Sequence, residues 1–270
     1  MPELPEVETI ARGLAERITG DVIDSVWIGK KKEILKSPAT AIAAVLEHSR
    51  IATIRRMGKH IVFDLELERN ARAQFIVHLG MTGRLQICDP QAETEKHTHA
   101  ILSLASGKEL RFVDPRRFGR LSVAKAADFD AGGIEPLEID LGRFIALFRG
   151  RKTPIKSALL NQKLLRGVGN IYADESLFRA GIRPRRRAAS ITNDSLTKLH
   201  AAIQQVLNEA IALGGSSISD YVDAEGAEGF FQLQHRVYGR EGESCLVCKT
   251  AIKRVVIAGR SSHYCSKCQK

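Results

Sequence analysis

The chain opens with the stretch Met1-Pro2-Glu3-Leu4-Pro5-Glu6-Val7-Glu8-Thr9. Pro5 suits the first turn of a helix, where its missing N–H leaves no bond unmade. Apolar side chains then recur at helical spacing on one face, at Val7, Ile10, Leu14 and Ile18. The pattern predicts an amphipathic helix that begins close to the N-terminus. Taken alone, the carboxylates in its first turn are best explained as complements to the positive end of the helix dipole.

The second residue, Pro2, can act as a nucleophile at the start of this helix. If an aminopeptidase removes Met1, the chain begins with the secondary amine of Pro2. An α-amino pKa of about 7.7–8.0 lies below the roughly 10.4 of lysine, so much more of the amine is unprotonated at neutral pH. Such an amine can attack an aldehyde-like carbon and form an iminium, and Glu3 and Glu6 are near enough in sequence to move protons for it. With Met1 in place, Pro2 is an amide and cannot attack.

Composition predicts a soluble, intracellular protein with a polyanionic partner. The 270 residues carry a formal net charge of +10, and a field of that sign favours encounters with phosphate backbones. Ten Lys or Arg residues fall between positions 151 and 187 against two acidic residues. A solubilising surface is the alternative interpretation of that cluster. No apolar run reaches the roughly twenty residues of a membrane span, and the charged N-terminus is not a signal peptide.

Two periodicities predict an α+β chain of several domains. Runs with period two predict an antiparallel β-sandwich or barrel after the first helix, at 22–28, 61–67, 74–79, 84–88, 99–104, 109–113 and 120–123. Glycines and a proline at 131–136 predict a linker. Helical spacing returns at 155–165, at 171–180 with Asn170 as the cap, and at 194–213. The predicted organisation is a β-domain at 1–130, a linker at 131–146, a helical domain at 147–235 and a cysteine-bearing module at 236–270.

Four of the five cysteines form the strongest motif. Two residues separate Cys245 from Cys248 and Cys265 from Cys268, and sixteen residues separate the pairs. This spacing is typical of a four-thiolate zinc ribbon with knuckles on a β-hairpin. Because thiolates fill all four positions, we predict one structural Zn²⁺ and no catalytic metal. Cys88 is expected to be an ordinary buried thiol.

Three glycine-containing turns carry candidate ligand contacts. In the run 164–172, a glycine-rich turn leads into a helix whose first N–H groups would attract an anion such as phosphate. The turns at 78–83 and 114–119 hold Met81 and Phe118 where solvent exposure is expected. Apolar side chains there could fill the space left by an extruded nucleotide. A plain interhelical turn and ordinary core packing are the alternative interpretations.

Several polar residues are ambiguous from the sequence alone. Lys59, after Met57-Gly58, could be an ordinary charged residue at a strand end. Arg260 would lie at the tip of the ribbon as an exposed arginine. His97 and His99 are candidate phosphate contacts.

The opening residues 2–9, with the motifs at 57–60, 78–83, 114–119, 164–178 and the cysteine ribbon, resemble the formamidopyrimidine-DNA glycosylase family. The resemblance spans essentially the whole chain. It implies a bifunctional DNA glycosylase and abasic-site lyase of base-excision repair. The implied fold is an N-terminal β-sandwich with an N-terminal helix, then a helix-two-turn-helix domain and a β-hairpin zinc finger. The implied partner is double-stranded DNA containing an oxidised purine, and the implied protein is a monomer in the bacterial cytoplasm, associated with the nucleoid.

The resemblance also implies residue roles. Pro2 is the Schiff-base nucleophile, Glu3 transfers protons and Glu6 supports the helix. Lys59 donates a proton in β-elimination, and Arg260 contacts phosphate and donates a proton in δ-elimination. The implied DNA contacts are Met81, His97, Arg116, Phe118, Asn170 and Arg151, with Arg116 facing the orphaned cytosine. A lesion-recognition loop is expected at about 216–234, where no motif maps residue by residue.

Two alternatives stay open. The related endonuclease VIII type prefers oxidised pyrimidines, but Leu4 and the full set of Met81, Arg116 and Phe118 favour the purine enzyme. A zinc-bearing DNA-binding protein without catalysis would require the Pro2 amine to be absent or blocked.

Overall fold

The computed structural model spans the chain, and the structure describes residues 1–217, 223–224 and 226–270. Contacts divide it into two units. Unit 1 comprises Met1–Ala131 and Gly214–Gly229, and unit 2 comprises Gly132–Leu213 and Phe230–Lys270. No helix in the described part of the chain is long and apolar enough to cross a membrane.

Unit 1 is an antiparallel β-sandwich with a helix at its N-terminus. Its helices are α1 (Leu4–Ile18) and α2 (Ala39–Leu46). Its strands are β1 (Ile23–Ile28), β2 (Arg50–Met57), β3 (His60–Glu66), β4 (Arg72–His78), β5 (Arg84–Cys88), β6 (Thr98–Leu104), β7 (Glu109–Val113) and β8 (Arg120–Lys125). They form two four-stranded antiparallel sheets, ordered β1-β6-β7-β5 and β2-β3-β4-β8. The predicted fold class is confirmed, as a sandwich.

The predicted apolar face of α1 packs into the core of unit 1. The four residues of that face are each at most 2 % exposed: Val7, Ile10, Leu14 and Ile18. They join one hydrophobic cluster with Phe63 of β3 and Phe112 of β7. Each fully buried aliphatic side chain contributes about 1.5–3 kcal/mol. The sheets therefore hold α1, and with it the residues that precede the helix.

Unit 2 combines helices with a two-stranded ribbon. Its helices in the described part are α3 (Leu141–Phe148), α4 (Ile155–Leu159), α5 (Asn170–Arg179) and α6 (Asn193–Ala212). The ribbon consists of the antiparallel strands β9 (Ile252–Ile257) and β10 (Arg260–Cys265).

Two helix boundaries in unit 2 differ from the prediction. The helix predicted at 155–165 ends as α4 at Leu159, because Asn161 organises a turn of its own. The Asn161 carbonyl accepts the Leu164 N–H at 2.8 Å, and its side-chain oxygen accepts the Lys163 N–H at 3.0 Å. A short amide side chain that bonds nearby backbone competes with helical bonds. The cap of α5 is Gly169, and Asn170 is the first helical residue.

Helix α3 starts inside the stretch predicted as the linker 131–146. Asp140 caps it, since its side-chain oxygen accepts the Arg143 N–H at 2.9 Å. Phe144 and Phe148 then bury one face of the helix. A good cap and two buried aromatic rings allow a helix of only eight residues to form here.

Candidate functional site

The Glu6 carboxylate holds the N-terminal residues. Glu6 is 2 % exposed, its Oε2 accepts the Glu3 N–H at 2.8 Å, and its Oε1 accepts the Ser216 N–H at 2.8 Å. Pro2 and Glu3 are buried, whereas Met1 is 46 % exposed. The structure thus places Pro2 beside a fixed helix start and leaves Met1 open to an aminopeptidase.

The same carboxylate fixes the start of the predicted lesion-recognition loop at about 216–234. Gly215 has a φ of +84°, and a Cβ there would lie 2.9 Å from Cγ of Glu6. Glycine is favoured here by both its backbone conformation and the close approach. Residues 218–222 and 225 of the loop lie outside the described residues.

Lys59 lies in a two-residue turn at the tip of the β2–β3 hairpin and is 9 % exposed. The Glu8 carboxylate of α1 accepts from Nε of Arg56 at 2.7 Å, and Nη1 of Arg56 donates to the Gly58 carbonyl at 3.3 Å. Burial raises the pKa of Glu8, but the bonds from Arg56 and Arg12 outweigh it and hold that pKa below its ordinary value. This ion pair ties α1 to the turn that presents Lys59.

A buried carboxylate joins the turns that carry Met81 and Phe118. Asp114 is 0 % exposed, and its Oδ1 accepts the Thr82 hydroxyl at 2.6 Å. Its Oδ2 accepts the Gly119 N–H at 2.7 Å. One carboxylate therefore fixes both turns, although they lie more than thirty residues apart in the chain.

The two turns also touch through their backbones. Gly80 has a φ of +67°, and a Cβ there would lie 2.5 Å from the Phe118 carbonyl carbon. Met81 and Phe118 remain 39 % and 46 % exposed. The Arg116 guanidinium lies 4.9 Å from the centroid of the Phe118 ring. The structure brings these three predicted site residues together as exposed side chains on two turns that the Asp114 carboxylate and backbone contact hold together.

Two neutral histidines flank the Lys59 and Met81 turns. The ring centroids of His60 and His78 are 4.9 Å apart, and Nδ1 of His78 accepts the Gly80 N–H at 3.1 Å. Burial lowers the pKa of His78 to about 4, and unfavourable interactions of its protonated ring with His60, Lys59 and Arg120 add to the effect. Burial also lowers the pKa of His60, whose Nδ1 has no hydrogen-bond partner among the described residues.

His78 is expected to make the protein less stable in acid. Its pKa is about 4 when folded, against 6.5 for the ordinary side chain, so the unfolded chain binds more protons between those values. The free energy of unfolding should therefore fall by about 3 kcal/mol as the pH drops from 6.5 to 4. Urea titrations across this range should show a shallower fall in His78→Asn, which keeps an acceptor for Gly80. His48→Asn, at an exposed histidine, is the control; equal slopes in the two variants would contradict the prediction.

In unit 2, a glutamine shapes the glycine-rich turn before α5. Oε1 of Gln162 accepts the Gly167 N–H at 2.9 Å, and its Nε2 donates to the Val168 carbonyl at 2.8 Å. Asn170 follows, half-buried, and its side-chain oxygen is buried with no hydrogen-bond partner in the part of the chain that the structure describes. The two bonds from Gln162 thus fix the conformation of the turn that precedes α5.

Two consecutive buried acids on α5 hold the ribbon and the segment that precedes it. Asp174 accepts from Nζ of Lys156 at 2.5 Å and from the His263 N–H of β10 at 2.9 Å. Glu175 accepts the successive N–H groups of residues 236–238 at 2.9–3.0 Å. Burial nevertheless keeps the pKa of Glu175 above its ordinary value. Removing one partner of a buried charged network leaves the other unpaired, which is costly. These contacts therefore fix the ribbon and residues 236–238 against α5.

The four ribbon cysteines fit the predicted structural Zn²⁺. Their Sγ atoms all lie within 4.8 Å of one another. The Cys245–Cys268 and Cys248–Cys265 sulfur distances are 3.9 and 3.4 Å. Tetrahedral Zn²⁺ with Zn–S bonds of about 2.3 Å separates its sulfurs by about 3.8 Å, so the four thiolates suit the ion. Cys88, predicted to be buried, is half-buried at the end of β5.

Of the remaining predicted residues, three lie at the surfaces of their own units and one is buried. Arg260 is exposed and follows a tight turn in which Ala258 and Gly259 have φ values of 48° and 75°. Arg151 is half-buried just after α3, where its Nε donates to the Leu147 carbonyl. His97 is half-buried in unit 1. His99 is buried, and its Nε2 lies 2.9 Å from the Asp114 carbonyl oxygen. This contact holds the ring inside unit 1.

Three family models match the sequence in succession. They are described as the formamidopyrimidine-DNA glycosylase N-terminal domain, its H2TH domain, and a zinc finger found in FPG and IleRS, and they match residues 1–121, 133–222 and 242–270. The formamidopyrimidine-DNA glycosylase of Solibacter usitatus (strain Ellin6076) is 47 % identical over 272 residues, which cover 100 % of both chains. The chain belongs to the formamidopyrimidine-DNA glycosylase family. Members are DNA glycosylases, and a lyase activity is part of the family.

Solved structures of formamidopyrimidine-DNA glycosylases have the same fold. The protein from Thermus thermophilus is 39 % identical with a TM-score of 0.88, covering 99 % of this chain and 98 % of that one. The Lactococcus lactis protein in complex with Fapy-dG-containing DNA is 33 % identical with a TM-score of 0.90, covering 99 % and 100 %. The predicted family and its structural zinc are confirmed.

Sequence reasoning missed the residues that hold these groups in place. Asp114, Arg56 and Glu175 act through bonds to backbone groups and neighbouring charges. The available signal was a charged residue inside an apolar run, as with Asp114 directly after Phe112-Val113.

Proposed function

We propose that the chain excises oxidised purines, such as 8-oxoguanine and formamidopyrimidines, from duplex DNA and then cleaves the strand, with the Pro2 nitrogen as the nucleophile. The observation that carries this proposal is the fixed N-terminus, in which Pro2 and Glu3 are buried and Glu6 bonds two backbone N–H groups. Solved family members hold DNA with Fapy-dG or a carbocyclic 8-oxo-G, which supports this substrate class, and another holds DNA with an abasic site.

The first step removes the base. With Met1 gone, the lone pair of the Pro2 nitrogen attacks C1′ of the sugar. The glycosidic bond breaks, and its electrons leave with the base, which takes up a proton. Glu3 protonates the ring oxygen as the sugar opens and leaves a C1′=N iminium. Glu6 holds the helix start in place.

The iminium then opens the strand on both sides of the sugar. Its positive charge acidifies the C2′–H bond, and loss of that proton breaks C3′–O and releases the first phosphate. Loss of the C4′ proton breaks C5′–O and releases the second. Lys59 donates a proton at the first elimination, and Arg260 binds phosphate and donates at the second. Water hydrolyses the iminium and frees Pro2.

Each unit contributes DNA contacts in this proposal. In unit 1, Met81 and Phe118 fill the space left by the extruded nucleotide, and Arg116 faces the orphaned cytosine. His97 of unit 1 and Asn170 and Arg151 of unit 2 bind phosphates. The Zn²⁺ is structural and takes no part in the chemistry, for which no catalytic metal is required.

We further infer a monomer associated with the bacterial nucleoid, in keeping with the net charge of +10 and the bacterial sources of the curated relatives. The functional division we propose is a catalytic β-domain at 1–130, a linker at 131–146, a DNA-binding helical domain at 147–235 with a lesion-recognition loop at about 216–234, and a zinc finger at 236–270.

Borohydride reduction during turnover tests the chemistry. Mass spectrometry of the reduced adduct should place the sugar on the N-terminal peptide, at Pro2. Release of 8-oxoguanine from a defined duplex should exceed release of thymine glycol. A sugar on another side chain would refute the mechanism, and faster release of thymine glycol would indicate the endonuclease VIII type of specificity.

Breaking the Glu8–Arg56 pair is expected to slow strand cleavage at the first elimination, in which Lys59 donates a proton. Arg56→Ala frees the Lys59 turn from α1, and a misplacement of about 1 Å can lower a rate about 100-fold. We expect kcat to fall by that order while the Kd for DNA stays within a few-fold. Arg12→Ala removes the exposed arginine on the same carboxylate and is the matched control. Equal rates for the two variants in single-turnover assays would contradict the prediction.

A further inference from the structure

Two consecutive apolar residues, Leu246 and Val247, lie exposed in the zinc ribbon. They occupy the knuckle between Cys245 and Cys248, and their exposed fractions are 49 % and 67 %. The buried cluster of the ribbon forms without them, from Cys245, Cys265, Phe178, Val237 and Ile252. Single exposed apolar residues are common, but adjacent ones on a projecting turn form the kind of patch that marks an interaction site.

This apolar pair lies at the end of the ribbon that is remote from Arg260. The last pair of the hairpin joins Cys265 to Ile252, and six-residue strands separate it from the turn at 258–259 by about 17 Å. The four cysteine sulfurs lie within 4.8 Å of one another, so the two knuckles adjoin at this end. We call this end, residues 245–249 and 265–268, the metal pole.

Cationic side chains surround the metal pole. Lys249 and Lys267 are exposed, and neither has an ion pair among the described residues. Arg183 and Arg186 donate to backbone carbonyls within residues 266–270. The two acids just before the first knuckle each pair with an arginine of the same module. Four thiolates outweigh the charge of a Zn²⁺ ion, but these four cations outweigh the resulting negative charge, so the pole is positive.

The backbone at Lys249 indicates that a cation is retained there at a cost. Its φ is 63°, in the left-handed region where glycine is favoured. The Lys249 N–H donates to the Cys245 carbonyl at 2.9 Å, and the Cys245 N–H donates to the Thr250 carbonyl at 2.9 Å, which closes the knuckle. Glycine would complete this turn without strain. Lysine instead places an ammonium group beside the apolar pair, and such strain is a mark of functional positions.

We propose that the metal pole docks an acidic, unstructured segment of another protein. Leu246 and Val247 pack against apolar side chains of that segment, and Lys249 and Lys267 pair with its carboxylates. An apolar centre with a polar rim is the general anatomy of a protein interface. Phosphates would meet the lysines but leave the apolar pair uncovered, so the combination favours a peptide over a nucleic acid. The docking site is separate from the repair chemistry proposed above, because it uses the opposite end of the ribbon from Arg260.

A displayed library of random seven-residue peptides provides the probe. Zinc-loaded full-length protein is the bait, and peptides that also bind the double variant Leu246→Ser/Val247→Ser are removed. The recovered peptides should combine two or more carboxylates with an apolar side chain such as leucine or phenylalanine. Recovery of peptides without carboxylates, or of none that prefers the unaltered protein, would overturn the proposal.

The apolar pair is tested with a recovered peptide, labelled for fluorescence anisotropy. Leu246→Ser/Val247→Ser should weaken peptide binding at least 10-fold, which corresponds to about 1.4 kcal/mol. Val256→Ser is the matched control, because Val256 is 56 % exposed on β9 outside the metal pole. It should change the affinity less than 2-fold. Equal losses in the two proteins would overturn the proposal.

The lysines are tested with the same peptide. Lys249→Gly/Lys267→Ala removes both ammonium groups and relieves the backbone at residue 249, so it should fold normally. Peptide binding should weaken at least 10-fold at low salt and much less at high salt, because salt screens exposed charges. Lys36→Ala/Lys125→Ala, at exposed lysines of unit 1, is the charge-matched control and should bind as the unaltered protein does. A loss of the same size in this control would contradict the assignment.

Zinc content, DNA affinity and oligomeric state are measured for every variant. All three should match the unaltered protein, since the substituted side chains lie outside the buried cluster of the ribbon. A loss of DNA affinity as large as the loss of peptide affinity would assign the metal pole to DNA. A dimer that Leu246→Ser/Val247→Ser abolishes would assign it to a second copy of the chain. Either result would overturn the proposal and leave the Pro2 mechanism unaffected.

Discussion

Protein from which Met1 has been removed is expected to form a covalent adduct with abasic-site DNA under borohydride, and the same protein with Met1 in place is expected to form none. In the processed chain the Pro2 nitrogen is a secondary amine that can form an iminium; in the unprocessed chain it is an amide without a free lone pair. Met1 is 46 % exposed, so an aminopeptidase can convert one sample into the other. Gel analysis of trapped DNA before and after that treatment gives the comparison.

The two samples differ by one residue at an exposed terminus, so their DNA affinities should agree within a few-fold. That agreement is the control for folding and for the DNA-binding surfaces. Pro2→Gly, which keeps a primary amine after processing, should still trap DNA but at a lower rate. Full trapping by the unprocessed protein would rule out Pro2 as the nucleophile and assign the adduct to the Met1 amine or to a side-chain amine.

Removing the Zn²⁺ is expected to abolish tight DNA binding. A structural zinc contributes on the order of 10 kcal/mol to the folding of a ribbon, so without it β9 and β10 should come apart. Arg260 then loses its place, and Asp174 of α5 loses its contact with His263. Charge-assisted hydrogen bonds contribute about 1.5–3 kcal/mol each, so losing one or two should weaken DNA binding on the order of 100-fold. Fluorescence anisotropy with labelled duplex, alongside measured metal content, tests this.

The chain offers a matched control for the zinc experiment. Cys268→Ser removes one ligand and should reproduce the effect of chelation. Cys88→Ser changes the one cysteine outside the ribbon cluster and should leave both zinc content and DNA affinity unchanged. Retained DNA affinity in protein shown to be free of zinc would refute the proposed role of the ribbon.

Periodicity predicted the elements whose pattern is set locally. Strands β5 and β7 fall at the predicted positions, and α6 runs from Asn193 to Ala212 where 194–213 was predicted. Strand β2 was not predicted, because its arginines interrupt the apolar alternation. The structure shows why they are tolerated there: Arg55 pairs with Asp64 at 2.8 Å and Arg56 with Glu8 at 2.7 Å. A charged residue can occupy a strand when its partner comes from another element.

The candidate site likewise has residues that the sequence predicts and supporting residues that only the fold reveals. The zinc ligands follow from spacing alone, because the cysteine pairs lie within one hairpin module. The exposed Met81 and Phe118 follow from residue type on a turn. Their shared support could not be foreseen, since the Asp114 carboxylate meets Thr82 only after the sheets have formed. Pattern reasoning identifies which side chains are presented, and the tertiary fold decides what holds them.

The back-to-back packing of Gly80 on the Phe118 carbonyl has a mechanical consequence. The two turns cannot move independently, so main-chain contact sets a fixed separation between Met81 and Phe118. A methyl group added at residue 80 would push the two turns apart and displace both side chains, although it would touch no nucleotide.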